Sequence, residues 1–214
     1  MRGTPVEIRN EKLGKTVVKA LEGRNFEAYY CNSKEEALAQ AMKLIPDGAS
    51  VSWGGAASVD QIGLKEALRE KGGFTLLDRD AVESQEEKLA VMRQGLACDV
   101  FLAGTNALSQ DGQLVNIDGT GNRVAAMIFG PKSVVVIAGI NKITATVEDA
   151  WTRARNEAAP INAQRFPALQ TPCLKTGECG DCKGDSICAY IVTTRMCRPA
   201  KRIKVIVVGE NLGF

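Results

Sequence analysis

The chain has 214 residues, of which 45% are hydrophobic and 24% charged, and its formal net charge is +2. The length suits one domain, or one domain with an appendage, and the composition is that of an ordinary globular protein. The small net charge, and the lack of a basic run interleaved with aromatic residues, argue against nucleic-acid binding. The sequence has no histidine, which excludes Ser-His-Asp and Cys-His catalysis and imidazole metal ligands.

The sequence predicts neither a leader nor a membrane span. Residues 1–7 lack the apolar core and the small-residue cleavage pattern of a signal peptide. No apolar run approaches the roughly 18 residues that cross a bilayer. We therefore expect a cytoplasmic protein without membrane insertion, in which thiols stay reduced.

Taken in chain order, the hydrophobic pattern predicts alternating helices and strands. Helices are expected over 11–21, 34–44, 58–71, 82–95 and 146–157, the second and third beginning at capping signals on Ser33 and Ser58. Strands are expected over 26–31, 50–53, 74–77, 98–103, 133–138 and 203–208. The alternation predicts an α/β fold, a three-layer, mainly parallel sheet with helices on both faces.

Two segments depart from this alternation. Residues 104–123 are polar and irregular apart from a short apolar island at 114–115, and residues 166–200 are rich in cysteine and lack periodicity. We expect an α/β core over 1–165 and 201–214, with an irregular Cys-rich excursion over 166–200 before the final strand.

The first candidate ligand loop follows the strand at 50–53. Gly54 and Gly55 let the backbone turn sharply and approach a ligand closely. The helix start predicted at Ser58 offers free N–H groups that suit an anion. A simple tight turn is the alternative, because the segment has neither a dinucleotide fingerprint nor a Walker lysine.

The second candidate loop is more informative. Asp111-Gly112 predicts a hairpin turn over 110–115, which does not account for the polar residues that follow. Between two buried strands, this loop is expected at the carboxyl edge of the sheet, where ligands bind. Asp118, as acid or base, and Asn116 are the candidate catalytic residues, and Arg123 can pair with a carboxylate or phosphate. The other candidate binding residues are Thr105, Asn106, Gly119, Thr120, Gly121 and Asn122.

Five of the seven cysteines lie close together, at Cys173, Cys179, Cys182, Cys188 and Cys197. Cys179 and Cys182 form a C-x2-C pair, a common geometry for two thiolates on one metal. In a reduced compartment such clustering favours metal or redox chemistry over structural disulfides. An iron–sulfur cluster or an all-thiolate zinc site is the favoured interpretation, with a disulfide role and inert thiols as alternatives.

The polar loop belongs to a longer run at 104–143, GTNALSQDGQLVNIDGTGNRVAAMIFGPKSVVVIAGINKI. Two other segments accompany it, SVSWGGAASVDQIGL and AAPINAQRF, the latter followed by the Cys-rich tail and a terminal ENLGF. Together these segments resemble the LUD-domain family, formerly DUF162, which is named for lactate utilisation. The resemblance covers roughly 10–214.

The resemblance implies a fold similar to the NagB/RpiA/CoA-transferase group. In that group two loops line a sugar-phosphate or acyl-CoA pocket, and by position they match Gly54, Gly55 and Ser58 here, and the polar residues of 106–123. The catalytic glutamate of CoA transferases has no match in this chain. The family also implies a role in bacterial L-lactate oxidation beside iron–sulfur partner subunits.

Three functions remain open at this stage. The first is a subunit or accessory protein of 2-hydroxy-acid oxidation, with the substrate carboxylate on Arg123 and its hydroxyl near Asp118 or Asn116. The second is an isomerase- or transferase-like enzyme acting on a sugar phosphate or a CoA thioester. The third is a non-catalytic, metal-stabilised docking or electron-transfer module. A small anionic metabolite, iron–sulfur subunits and a second copy of the chain are the expected partners.

Overall fold

The computed structural model describes residues 3–184 and 186–214. Its helices are α1 (Pro5–Gly23), α2 (Lys34–Lys43), α3 (Ala57–Gln61), α4 (Leu64–Lys71), α5 (Gln85–Gly95), α6 (Asn122–Ile128), α7 (Val147–Arg153), α8 (Ala159–Ala163) and α9 (Pro172–Thr176). Its strands are β1 (Glu27–Cys31), β2 (Ser50–Trp53), β3 (Thr75–Leu77), β4 (Val100–Gly104), β5 (Ala107–Ser109), β6 (Leu114–Asp118), β7 (Ser133–Gly139), β8 (Ile143–Thr144), β9 (Tyr190–Thr194) and β10 (Ile203–Val208). A π-helical turn, Ala154–Ala158, joins α7 to α8.

The main sheet has six parallel strands in the order β1-β10-β7-β4-β2-β3. In the central strand β7, Val134 and Val136 belong to one hydrophobic core, whereas Val135 and Ile137 belong to another. Successive side chains point to opposite faces of a strand, so a strand that is covered on both sides is apolar at nearly every position. The continuous β-branched run at 133–138 has this cause.

Helices cover both faces of the sheet, and the predicted three-layer α/β fold is confirmed. One core contains side chains of α1 and α6, and the other contains side chains of α2, α3 and α4. Helix α2 begins at the predicted cap, where the Ser33 hydroxyl accepts a hydrogen bond from the Glu36 backbone N–H. The Glu36 carboxylate bonds the backbone of Asn32 rather than that of Ser33.

The cap predicted at Ser58 is wrong. Helix α3 begins one residue earlier and has no side-chain cap, and Gly63, in the left-handed conformation, separates it from α4. The Ser58 side chain is fully buried and donates a hydrogen bond to the carbonyl oxygen of Ile137 at 2.8 Å. Ser58 therefore lies inside helix α3, where its hydroxyl hydrogen-bonds a buried carbonyl of strand β7, and it does not cap the helix.

A second, smaller sheet was not predicted. It has the order β8-β5-β6-β9, in which β6 pairs antiparallel with both β5 and β9. The predicted turn at Asp111-Gly112 is present, and the apolar island at 114–115 is the start of β6. Strand β9 lies within the Cys-rich segment, so the end of that segment is paired with the polar loop, from Leu114 opposite Thr194 to Asp118 opposite Tyr190.

The tip of the β5–β6 hairpin is anchored on the end of α1. Arg24 binds the Asp111 carboxylate and carbonyl oxygen at 2.5 and 2.6 Å. Gly112 has φ +85°, and a Cβ there would lie 2.7 Å from the carbonyl carbon of Ala20 and 2.8 Å from the backbone nitrogen of Leu21. The hairpin therefore approaches the helix backbone more closely than any side chain would allow. Within the described residues, no helix combines the length and apolar character required to cross a membrane.

We predict that Gly112→Ala destabilises the protein more than Gly48→Ala. Both glycines have positive φ, but a Cβ at Gly48 (φ +77°) meets nothing within 4 Å. Gly48→Ala should therefore cost only the left-handed penalty of about 1–2 kcal/mol, whereas Gly112→Ala must also lift the hairpin from α1. Urea unfolding of both variants measures the two losses in the free energy of unfolding. Equal losses would show that the hairpin can move away from α1 without a cost in stability.

Candidate functional site

The sheet topology creates a crevice between β2 and β4. The chain leaves β2 toward β3 at one edge of the sheet, and after β4 it returns to β7 on the other side. Ligands of open α/β sheets bind at the carboxyl ends of the strands, where the chain reverses in this way. The two candidate loops follow β2 and β4, and they therefore meet at this crevice.

A cavity of about 60 Å³, called here the inner pocket, lies in this crevice. Five of the predicted binding residues line it: Gly55, Ser58, Thr105, Asn106 and Arg123. Three further polar residues that sequence reasoning missed also line it: Lys142, Asn162 and Arg165. No Asp or Glu side chain is among the described residues that line this pocket, so its side chains are neutral or cationic.

Arg123 organises the inner pocket from a buried position, with 8% of its surface exposed. Its Nη1 donates to Asn116 Oδ1 at 2.5 Å and to the Gly104 carbonyl at 3.1 Å. Its Nη2 donates to the Ile117 carbonyl at 2.6 Å and to Asn106 Oδ1 at 3.1 Å. All four terminal N–H groups thus have protein acceptors, so the fork that was predicted to bind a ligand carboxylate joins β4, β6 and α6 instead.

Gly54 makes room for this arginine. A Cβ on Gly54 would come within 2.9 Å of Arg123 Cγ and Cδ. The glycine therefore serves the close passage of a side chain from the second loop across the first. Asn116, the second candidate catalytic residue, is 1% exposed and lies behind Arg123, and its Nδ2 is buried without a hydrogen-bond partner among the described residues.

Asp118 explains a helix that the sequence did not predict. Its two carboxylate oxygens accept hydrogen bonds from the backbone N–H groups of Gly121 (3.1 Å) and Val124 (3.2 Å), at the start of α6. Oδ2 also lies 3.7 Å from Arg123 Nε. The carboxylate thus caps α6 and balances the arginine. Gly121 has φ +88°, and a Cβ there would lie 3.0 Å from Cε2 of the Tyr190 ring.

Lys142 is the most unusual charged residue of the pocket. It is 4% exposed, and its Nζ donates a hydrogen bond to the Thr105 carbonyl oxygen at 3.0 Å. No carboxylate of the described residues forms an ion pair with it. Burial, together with repulsion from Arg153 and Arg123, lowers the pKa of Lys142 to about 7. At neutral pH this amine can either bind an anion as a cation or accept a proton.

A sequence signal for Lys142 exists, although it was missed. The lysine comes three residues after the end of the most continuous apolar strand, β7. A lysine this close to the carboxyl end of a central strand is expected to lie at the edge of the sheet where ligands bind.

Arg153 fixes the loops around Lys142. Its guanidinium donates to the Asn106 carbonyl at 2.6 Å, to the Asn141 carbonyl at 3.0 Å and to Glu157 at 2.8 Å. Arg153 is the last residue of α7, directly before the π-helical turn. Such turns are frequent at functional sites.

A larger cavity of about 440 Å³, the outer cleft, adjoins the inner pocket. The two share Gly55, Ile117, Arg123, Asn162 and Arg165. The outer cleft is also lined by four residues of the polar loop: Asp118, Gly119, Thr120 and Asn122. Arg79 and Lys88 add positive charge there, opposed by Asp80 and Asp118.

The cysteines form a separate site. Cys173, Cys179, Cys182 and Cys188 line one cavity of about 120 Å³, the thiol cavity, together with Arg155, Asp181 and Ile117. The fifth cysteine of the predicted metal set, Cys197, does not line it; it is buried in the main core. All seven cysteines are free thiols.

Comparison with known proteins identifies the family. The LUD domain model matches residues 14–208. The chain belongs to the LUD-domain family. The fold agrees with this assignment. The crystal structure of a DUF162 family protein from Deinococcus radiodurans is similar to this chain, with a TM-score of 0.55 and 13% identity over 93% of this chain and 98% of that one.

More distant similarities extend over about half of the chain. Ribose 5-phosphate isomerase A from Neisseria gonorrhoeae is 18% identical, with a TM-score of 0.35 over 53% of this chain and 54% of that one. The eIF2B beta subunit from Chaetomium thermophilum is 14% identical, with a TM-score of 0.39 over 54% of this chain and 44% of that one. No curated protein matches the chain significantly.

We predict that Arg123→Met lowers the free energy of unfolding by about 3–5 kcal/mol, because it leaves buried acceptors and the Asp118 carboxylate without their partner. Arg165→Met is the matched control, since Arg165 lines the same pocket but is solvent-exposed, and its Nη1 donates to Asn162 Oδ1 at 3.3 Å. Denaturant unfolding checks both variants. A loss below about 1 kcal/mol for Arg123→Met would contradict the central role given to this network.

Proposed function

We propose that the protein binds a small 2-hydroxy or 2-oxo acid, of which L-lactate and pyruvate are examples, in the inner pocket. In this proposal it acts as a subunit or accessory protein of 2-hydroxy-acid oxidation and works beside iron–sulfur partner subunits. The observation that carries the proposal is the buried amine of Lys142, which faces a pocket without an acidic side chain among its described lining residues.

Charge and hydrogen bonding support a carboxylate as the bound group. A carboxylate in the inner pocket would meet Lys142 directly and would complete an ion pair that the described residues leave unmade. Asn106 and Asn162 can hydrogen-bond a hydroxyl or keto oxygen next to that carboxylate, because both line the same cavity. Arg123 is a positioning residue here, since its terminal N–H groups already hold Asn106 and the strand carbonyls.

Size supports a small acid in this pocket. The inner pocket measures about 60 Å³, and a single water requires roughly 10–15 Å³. The space therefore fits a ligand of a few non-hydrogen atoms, such as a three-carbon acid. Asp118, the predicted acid or base, lines the outer cleft but not the inner pocket, so in this proposal Lys142 is the group that exchanges a proton with the ligand.

A second candidate function uses both cavities. The outer cleft, with Arg79, Lys88 and Arg165, is large enough for the phosphate end of a sugar phosphate or part of a CoA thioester. An isomerase- or transferase-like enzyme would place the reacting carbonyl at Lys142 and the phosphate among these cations. The charged lining of the outer cleft is the observation that favours this alternative.

The proposed function also includes a metal centre at the cysteines, either an iron–sulfur cluster or a zinc ion. The convergence of four thiols on one cavity supports it. Such a centre would stabilise this segment and offer a docking or electron-transfer point to a partner subunit.

We predict that L-lactate or pyruvate at millimolar concentration shifts the amide NMR signals of residues 104–106 and 140–142, and that Lys142→Met abolishes these shifts. Lys88→Met is the control, because Lys88 lines only the outer cleft. A pentose phosphate and CoA form the other arm of the titration. Shifts with these compounds alone, lost in Lys88→Met, would replace the 2-hydroxy-acid proposal with the second candidate, and no shifts with any compound would refute both.

We predict that lactate affinity falls as the pH rises through about 7, because only the protonated form of Lys142 pairs with the carboxylate. Above that pKa the protonated fraction falls by about tenfold per pH unit, and lactate itself stays ionised throughout. Isothermal titration between pH 6 and 9 would show this decline in the unmodified protein and in Lys88→Met. A pH-independent affinity would contradict the role given to the Lys142 amine.

A further inference from the structure

The four cysteines of the thiol cavity come from one short segment that is held by its own contacts. Cys173 lies in the first turn of α9, where its Sγ is 3.3 Å from the Thr171 hydroxyl and its carbonyl accepts a hydrogen bond from Gln164. Cys182 Sγ lies 3.5 Å from the Ser186 hydroxyl, which in turn accepts a hydrogen bond from the Cys188 backbone N–H. These contacts hold Cys173, Cys182 and Cys188 at the lining of the thiol cavity.

Cys197 lies in the main hydrophobic core and does not line the thiol cavity, although the sequence analysis grouped it with the other four cysteines. It is 1% exposed, and its Sγ donates to the Pro199 carbonyl at 3.1 Å and accepts from the Ile203 N–H at 3.2 Å. A thiol with this surrounding packs like a small apolar residue. The choice of four cysteines out of five thus follows from the structure and does not follow from the spacing.

The size of the thiol cavity favours a cluster over a single ion. A tetrahedral zinc ion with bonds of about 2.3 Å draws its four sulfurs to within about 3.8 Å of one another. The four thiols line a cavity of about 120 Å³, which is several times the roughly 10–15 Å³ that one water requires.

A core of several atoms fits this arrangement. Iron–sulfur clusters place two or four irons and their sulfides between four cysteine thiolates, so the protein must leave a space for these atoms between the four side chains. The negative charge of such a group also has a local counter-charge, because Arg155 Nη2 lies 3.7 Å from Cys179 Sγ and 2.7 Å from Asp181 Oδ1. Donor type, donor number and cavity size agree with a cluster, and Arg155 supplies a positive charge beside Cys179.

We infer that Cys173, Cys179, Cys182 and Cys188 are the ligands of an iron–sulfur cluster in this chain. This inference rests on the proposed thiolate metal centre and decides between its two forms. It also places the cluster beside the anion site, because Ile117 lines the thiol cavity, the inner pocket and the outer cleft. Helix α8 lies between the two sites as well, with Pro160 on the thiol cavity and Asn162 on the inner pocket.

The test is anaerobic reconstitution of the full chain with ferrous iron and sulfide, followed by iron, sulfide and zinc analysis and by visible absorption and EPR spectra. We expect iron and sulfide in equal amounts, about two or four of each per chain, with broad visible absorption. Cys179→Ser and Cys182→Ser should lose most of the iron. Cys31→Ala and Cys98→Ala, which remove buried thiols outside the cavity, should keep it, and far-UV circular dichroism of every variant checks the fold.

The outcomes separate this inference from the broader proposals. One zinc per chain after purification, with no iron taken up, would overturn the cluster and leave the thiolate metal centre standing. No metal of either kind, or disulfides among the four cysteines under anaerobic conditions, would overturn both. Equal iron uptake by Cys182→Ser and by Cys98→Ala would also overturn the ligand assignment. Lactate binding in the inner pocket is measured independently of all three results.

Discussion

The guanidinium of Arg123 is the interaction on which the candidate site depends. It reaches from α6 across Gly54 and bonds the end of β4, two positions of β6 and the amide of Asn106. Burial lowers the pKa of this arginine, and the charge of Asp118 opposes that effect. A fully satisfied buried fork of this kind has one arrangement, so it fixes the small sheet against the large one. The inner pocket lies at that junction.

The polar loop therefore has a different physical role from the one its composition predicts. The sequence predicts that Arg123, Asn116 and Asp118 contact a ligand. In the structure these side chains mostly bind one another and the backbone. Of the three, Arg123 lines the inner pocket, where Lys142 is the most buried cation. The density of polar residues predicts a ligand site in this loop, and that site stays a prediction. Which of these residues line the cavity could not be predicted from composition, because hydrogen-bond partners are set by the fold.

The parts of the fold that were predicted are those with local or strongly periodic signals. Strands β7 and β10 are long apolar runs, and α2 begins at a serine cap. Helix α6 was missed because its cap comes from Asp118, in a preceding strand, rather than from the adjacent residue. Strand β9 was missed because its partner, β6, lies more than 70 residues away along the chain. The convergence of four cysteines without Cys197 likewise depends on packing that spacing alone does not encode.

The amine of Lys142 has a consequence for how this protein balances stability against activity. A buried ammonium group that has no ion-pair partner among the described residues opposes folding, and the same burial lowers the pKa of Lys142 to about 7. An apolar side chain of similar length would be easier to accommodate at this position, so the free protein is less stable than its scaffold allows. In the proposed function, an anion that pairs with Lys142 would offset this cost, so binding would raise the free energy of unfolding.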